Sequence, residues 1–176
     1  MSKIDTSIEF LPINIGLLTI SDTRTEEEDK SGNLLKDRIS KFGHIVLDKK
    51  IIPDDILTIK KTIKRLSLHK KIDVIITTGG TGLTGRDSTP EAIAELSDKI
   101  IDGFGELFRQ LSYEKIGTST IQSRAIAAVI NHTYVFALPG SPGACKDGWD
   151  DILQYQLDIR HKPCNFIEIM PRLKEK

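Results

Sequence analysis

The chain has 176 residues, 39% of them hydrophobic and 28% charged, and its 25 Lys+Arg balance 25 Asp+Glu for a formal net charge of +0. That length suits one domain over residues 1–176, able to bury about 70% of its unfolded surface around a single core, and the composition excludes a disordered chain. Zero net charge excludes broad nucleic-acid binding, which needs surplus cations to displace counterions from phosphates.

The N-terminus, Met1-Ser-Lys-Ile-Asp5, has no basic patch ahead of an apolar core, so no secretory signal is expected. Pro12 to Ile20 reads as a first buried strand that ends at Ser21-Asp-Thr-Arg24. The acidic run Glu26 to Asp29 reads as solvated. Ser31 offers an N-cap for a helix with Leu35, Ile39 and Phe42 on one face, closed by Gly43. Ile45 to Ile52 is a second strand, Pro53-Asp-Asp55 a turn, and Ile56, Ile59, Ile63 and Leu66 the apolar face of an amphipathic helix. A third strand, Ile72 to Thr78, runs straight into Gly79-Gly-Thr-Gly82. Thr89 with Pro90 and Glu91 opens another helix. Helices are then expected over Gly103 to Leu111 and about Thr120 to Ile130, a last core strand over Thr133 to Leu138, and a final helix to about Gln156. The tail from about His161 is a candidate subunit-interface segment.

Strand-helix alternation at this spacing predicts an α/β fold, a mostly parallel sheet with helices on both faces. The longest apolar stretches fall far short of the roughly 20 residues of a membrane span. Cys145 and Cys164 fit neither a disulfide framework nor a zinc spacing and read as reduced packing residues of a cytoplasmic protein. The four histidines, His44, His69, His132 and His161, have no partner at a metal or triad spacing and read as structural or exposed.

In open parallel sheets ligands bind at the carboxyl ends of strands. Four loops there carry small residues, hydroxyls or carboxylates: Ser21-Asp22-Thr23, Pro53-Asp54, Thr77-Thr-Gly-Gly-Thr-Gly82 and Leu138-Pro-Gly-Ser141. Gly79, Gly80 and Gly82 let backbone N–H groups approach a phosphate, with Thr78 and Thr81 adding hydroxyls. A tight strand-to-helix turn would use the same residues. Gly80 to Gly85 has Walker spacing but continues Arg86-Asp87 where Lys and Ser/Thr are required, and the glycines also miss the dinucleotide register. Asp54 and Asp87 fall at the same sheet edge, and carboxylates beside a phosphate loop call for a cation, most economically Mg²⁺. Either Asp alone could equally cap a helix. Gly117-Thr-Ser-Thr-Ile-Gln-Ser-Arg124 adds hydroxyls and a guanidinium suited to an anion.

Gly16-Leu-Leu-Thr-Ile-Ser-Asp22, Thr77 to Asp87 with Pro90-Glu91, Gly103-Phe-Gly-Glu-Leu-Phe-Arg109, Gly117 to Ala125 and Ala137-Leu-Pro-Gly-Ser141 together resemble the molybdenum cofactor biosynthesis proteins MogA and MoaB. The motifs run in order over nearly the whole chain, and the short C-terminus is closer to MoaB. The resemblance implies a molybdopterin-binding fold and, in active members, adenylylation of molybdopterin with Mg-ATP and release of pyrophosphate. It places the family's catalytic carboxylates on Asp54 and Asp87, which would hold Mg²⁺ directly or through water; some bacterial MoaB proteins lack the first, and this chain keeps both. It assigns phosphate and pterin contacts to Gly79 through Gly82, Ser119, Ser123 and Arg124, an opposite wall to Pro139, Gly140 and Ser141, and substrate contacts also to Ser21, Asp22, Thr78 and Glu106. It further implies a hexamer built of trimers. Two other readings stay open, a carrier that holds the pterin without transferring AMP and a scaffold that binds no pterin.

Overall fold

The computed structural model describes residues 3–175. In chain order the elements are β1 (Lys3–Ile4), β2 (Asn14–Ile20), α1 (Lys30–Phe42), β3 (Ile45–Ile52), α2 (Ile56–Ser67), β4 (Val74–Thr78), α3 (Thr89–Leu96), β5 (Lys99–Ile100) and α4 (Asp102–Ile116). A 3-10 turn (Gly117–Gln122) leads to β6 (Ile126–Ile130), β7 (Thr133–Leu138), α5 (Pro142–Asp147), a π-type stretch (Gly148–Leu153) and α6 (Gln154–Gln156). β8 (His161–Lys162), α7 (Phe166–Ile169) and a last 3-10 turn (Met170–Lys174) complete it.

Six strands form one sheet in the order β3-β2-β4-β7-β6-β5. The first four are mutually parallel, and the β7–β6 and β6–β5 pairs are antiparallel. The sheet is therefore α/β and mostly parallel. Alternate strand residues feed two cores. Ile15, Leu17, Val74, Ile76, Tyr134 and Phe136 pack with α1, α4 and Trp149 on one face. Leu18, Ile20, Ile75, Val135 and Ala137 pack with Ile59, Ile63 and Leu66 of α2 and Ile93 of α3 on the other. Each fully buried Leu or Ile contributes about 1.5–3 kcal/mol against exposure. Sealing both faces leaves the strand ends as the place for a ligand. Among the described residues no helix is long and apolar enough to cross a membrane.

Several local expectations need correction. The stretch expected to be helical from Thr120 to Ile130 is a 3-10 turn followed by the strand β6. Ala127 and Ala128 favour a helix, but they lie buried between β7 and β5, in one strand with the β-branched Ile126, Val129 and Ile130, and ladder pairing overrides their propensity. Asn131 and His132, at φ 49 and 64, close the β6–β7 hairpin with the left-handed pair that a two-residue turn demands. α1 is capped by Asp29, whose carboxylate accepts from the Gly32 N–H at 2.9 Å, and Ser31 lies inside the helix. Asp29 is fully buried, so the acidic run is not solvated throughout. Thr89 and Pro90 are the first two residues of α3. Cys145 packs in the core, but Cys164 is exposed and is not a packing residue. The tail around it also makes intrachain contacts, compatible with the subunit contact expected of it, as β8 pairs antiparallel with β1 and Phe166, Met170 and Leu173 pack against the core.

Candidate functional site

The carboxyl ends of β2, β4 and β7, joined by the β3–α2 turn, open into one cleft of about 700 Å³. Ser21, Asp22, Asp54, Gly79, Gly80, Thr81, Gly82, Asp87, Ser123, Pro139, Gly140 and Ser141 all line it. Register explains the convergence. Thr78 at the end of β4 pairs with Thr19 on one side and Leu138 on the other, so the three following loops leave the sheet side by side.

Backbone conformation sets the loop. Gly79 and Gly80 have φ of +101 and +64, and a Cβ on Gly79 would lie 2.2 Å from the Ile20 carbonyl oxygen. Only glycine satisfies both constraints. The Gly79 N–H donates to the Leu138 carbonyl at 3.1 Å and the Thr89 N–H to the Gly80 carbonyl at 3.0 Å, tying the loop to β7 and α3. Among the described residues the Gly80 and Thr81 N–H groups donate to no protein acceptor. Free amides on a glycine turn before a helix are the groups that cradle phosphate.

Two carboxylates flank this loop. A Cβ on Gly80 would lie 2.8 Å from Asp54 Oδ2, and one on Gly82 would lie 2.7 Å from Asp87 Oδ2. Asp55, not Asp54, caps α2, accepting from the Thr58 N–H at 2.8 Å. Asp54 Oδ1 accepts from the Ser88 N–H at 3.3 Å and the Ser88 hydroxyl at 3.1 Å. Burial pushes the Asp54 carboxyl above its usual range; the Ser88 donors oppose this, and the charges of Asp87 and Asp22 add to it. Asp87 is held low, first by the Thr84 hydroxyl at 2.6 Å, against burial and with help from the Thr84 and Gly82 amides and Arg124. Asp22 is paired with Arg86 at 2.7 Å and Asp87 feels Arg124, so the half-buried Asp54 is the carboxylate of the three left without a cationic side-chain partner among the described residues. Mg²⁺ takes hard oxygen ligands, usually one or two carboxylates with phosphate and water, and the Asp54 and Asp87 donor set fits that ion. No group of three or more His, Cys, Asp or Glu suited to a metal occurs among the described residues, so phosphate oxygens or water would complete the shell.

Four expected residues stand elsewhere. Thr78 is buried beneath the cleft and donates to the Pro139 carbonyl at 3.0 Å, with Cys145 Sγ also at 3.0 Å. Arg124 turns inward, donating to the Gly82 and Asp87 carbonyls at 2.8 Å each and pairing with Glu91, so it braces the loop from behind. Glu106 is exposed on α4, about 200° around the axis from the buried Phe104 and Phe108. Ser119 is exposed on the 3-10 turn.

The cleft also recruits residues that sequence reasoning passed over. Phe108, Ser112, Lys115 and Ile116 form one stripe of α4, and Asp147 faces them from α5, with Lys115 Nζ 2.7 Å from Asp147 Oδ1. The spacing from 108 to 116 is that of a helix face turned inward, a signal available in the sequence but indistinguishable from core. Arg24 belongs to the cleft as well.

Comparison with known proteins identifies the family. Residues 16–159 match the family described as "Probable molybdopterin binding domain". The chain is 46% identical over 175 residues to molybdenum cofactor biosynthesis protein B of Escherichia coli strain K12, covering 99% of this chain and 100% of that one. A crystal structure of molybdenum cofactor biosynthesis protein B superposes with a TM-score of 0.85 at 39% identity, covering 94% of this chain and 98% of the other. The tungsten cofactor synthesizing protein MoaB from Pyrococcus furiosus does so with a TM-score of 0.73 at 37% identity, covering 93% and 98%. The motifs, the fold and the cleft thus converge, and the chain belongs to the MoaB/MogA family of molybdenum cofactor biosynthesis proteins.

Proposed function

We propose that the protein binds molybdopterin in this cleft and adenylylates it with Mg-ATP, releasing pyrophosphate. The observation that carries the reading is the pair Asp54 and Asp87 set on either side of a glycine loop with free amides. The terminal phosphate oxygen of molybdopterin would attack the α-phosphorus of ATP in line. The new P–O bond forms as the bond from the α-phosphorus to the bridging oxygen breaks, and pyrophosphate leaves with that electron pair. A phosphate monoester is largely dianionic at neutral pH, so the attacking oxygen needs no general base.

Such a transfer rests on positioning and charge neutralisation. The Gly80 and Thr81 amides hold phosphate oxygens, and Pro139, Gly140 and Ser141 shape the facing wall. Asp54 and Asp87 supply the oxygens for Mg²⁺, which when bound offsets charge developing on the leaving pyrophosphate. Incubating purified protein with molybdopterin and Mg-ATP is the direct test. Pyrophosphate and adenylylated pterin should appear in equal amounts. Pterin binding without pyrophosphate would leave a carrier, and no pterin binding would leave a scaffold.

The same reading includes assembly into a hexamer of paired trimers. Tyr113 near the end of α4 is 58% exposed, and Ile121 on the 3-10 turn is 81% exposed. That turn folds back on α4 through a Thr120 hydroxyl bond to the Arg109 carbonyl at 3.1 Å. Large exposed apolar side chains on a helix and its adjoining turn are suited to a subunit contact. Light scattering should give six times the chain mass; a stable monomer at micromolar concentration would remove the assembly.

A further inference from the structure

The cleft is lined by four carboxylates, Asp22, Asp54, Asp87 and Asp147, and two cations, Arg24 and Lys115. Lys115 is neutralised, with Nζ 2.7 Å from Asp147 Oδ1 and 2.7 Å from Asp151 Oδ2. Arg24 is in a different position. Its nearest carboxylate, Asp29, lies 3.9 Å away, fully buried. Asp29 is already held by the Thr19 hydroxyl at 2.8 Å, the Gly32 N–H at 2.9 Å and Lys49 Nζ at 2.9 Å.

What fixes the Arg24 side chain is neutral. Nη1 donates to the Ser31 hydroxyl at 2.5 Å, and Nη2 donates to the Gly140 carbonyl at 2.8 Å. A guanidinium has five N–H donors in a rigid fork, so three remain beyond these two. The head is beside the glycine loop, because a Cβ on Gly140 would lie 3.7 Å from Arg24 Nη2 and 3.3 Å from Gly79 Cα. An oriented guanidinium with spare donors, whose one carboxylate partner lies at 3.9 Å and is held more closely by Lys49, has next to free loop amides the chemistry of a phosphate receptor.

We propose that Arg24, oriented by Ser31 and Gly140, binds a phosphate group of the substrate at the Gly79–Gly140 junction. The inference rests on the adenylyltransferase reading and deepens it. It divides the charge between a fixed cation beside Gly79 and Gly140 and the carboxylates beside Gly80 and Gly82 that would accept a metal. Either the terminal phosphate of molybdopterin or the phosphate chain of ATP can supply that group.

Titration calorimetry on the full chain, with molybdopterin alone and with Mg-ATP alone, separates the two sources. Arg24→Gln should weaken one of these ligands by at least about tenfold, the scale of lost charge-assisted hydrogen bonds, and flatten the salt dependence of its affinity. Arg24→Lys should recover part of the loss, because charge returns without the fork. Should Arg24→Gln fail to fold by circular dichroism, Ser31→Ala carries the test: it keeps the cation, removes one orienting bond and should cost a few-fold in affinity, roughly the worth of a neutral hydrogen bond. Unchanged affinity for both ligands in the folded variant overturns the role of Arg24. A wild-type protein that binds neither ligand overturns the adenylyltransferase reading itself, an outcome distinct from the first because no variant is needed to see it.

Discussion

Asp54 and Asp87 share one sheet edge yet are pushed in opposite directions, and the cause is local. Asp87 has the Thr84 hydroxyl and amide on its carboxylate, whereas burial and two neighbouring acids outweigh the Ser88 donors on Asp54. Replacing either by Asn keeps the shape and removes the charge a metal would meet. Pterin is itself anionic, so its binding should hold or tighten. Transfer should fall by about a hundredfold or more, the usual cost of one electrostatic contribution to a transition state, roughly 3 kcal/mol. Stability adds a second readout. The raised Asp54 carboxyl is less favourable ionised in the folded chain than in the unfolded one, so Asp54→Asn should melt at the same temperature or higher at pH 7. Wild-type transfer in both variants would mean that neither carboxylate serves the reaction.

At the scale of the elements, the glycine loop shows why two neighbouring glycines answer different questions. At Gly80, φ is +64 and a Cβ would lie 2.3 Å from Thr89 Oγ1, the hydroxyl that ties α3 to the Gly79 carbonyl. Gly80→Ala should therefore lower the melting temperature as well as activity. Gly82 has no such φ, and the atoms nearest a Cβ there are those of the Asp87 carboxylate. Gly82→Ala should fold with its melting point within a few degrees of wild type and lose transfer by displacing Asp87; full activity in that variant would separate Asp87 from the chemistry. The loop, β3 and the helix faces of α1 and α2 were legible because β-branched apolar residues, turn residues and a 3.6-residue period mark them in the sequence. β6 was not, since its alanines acquire their strand character from pairing with β7 and β5, and the Asn131-His132 turn lacks the usual glycine. Twelve of the expected site residues line the cleft, eleven of them in loops that follow strands and are readable as a set, and Ser123 ahead of β6. Arg124 and Thr78 were misplaced because composition shows a donor but not the carbonyl it will meet. Arg24, Lys115 and Asp147 converge only in three dimensions.

Across the whole molecule, stability is tied to acid through one buried ring. His44 is 4% exposed and packs between Phe10, Phe42 and Trp149, with ring centroids at 5.1, 5.4 and 6.3 Å. Its Nδ1 accepts from the Ile13 N–H at 3.3 Å, a bond that requires that nitrogen to be unprotonated. Burial lowers its pKa from 6.5 to about 4, with Asp158 and the Leu157 carbonyl opposing the shift. Asp158 is itself paired with Arg160 at 2.8 Å, and Arg160 sits 4.9 Å from the centre of the Phe10 ring, so little net negative charge reaches the imidazole. The unfolded chain takes up the proton as pH falls through about 6.5, while the folded chain resists until about 4. Folding is thus fully supported above the higher value and weakens between the two, by about 3 kcal/mol once both are passed. Guanidinium midpoints measured from pH 7.5 to 5 should decline in the wild type before most carboxylates titrate. His44→Gln keeps an acceptor within reach of Ile13 and removes the titration, so its midpoint should be nearly level over that range. Equal slopes in the two proteins would show that the acid sensitivity of the fold resides elsewhere.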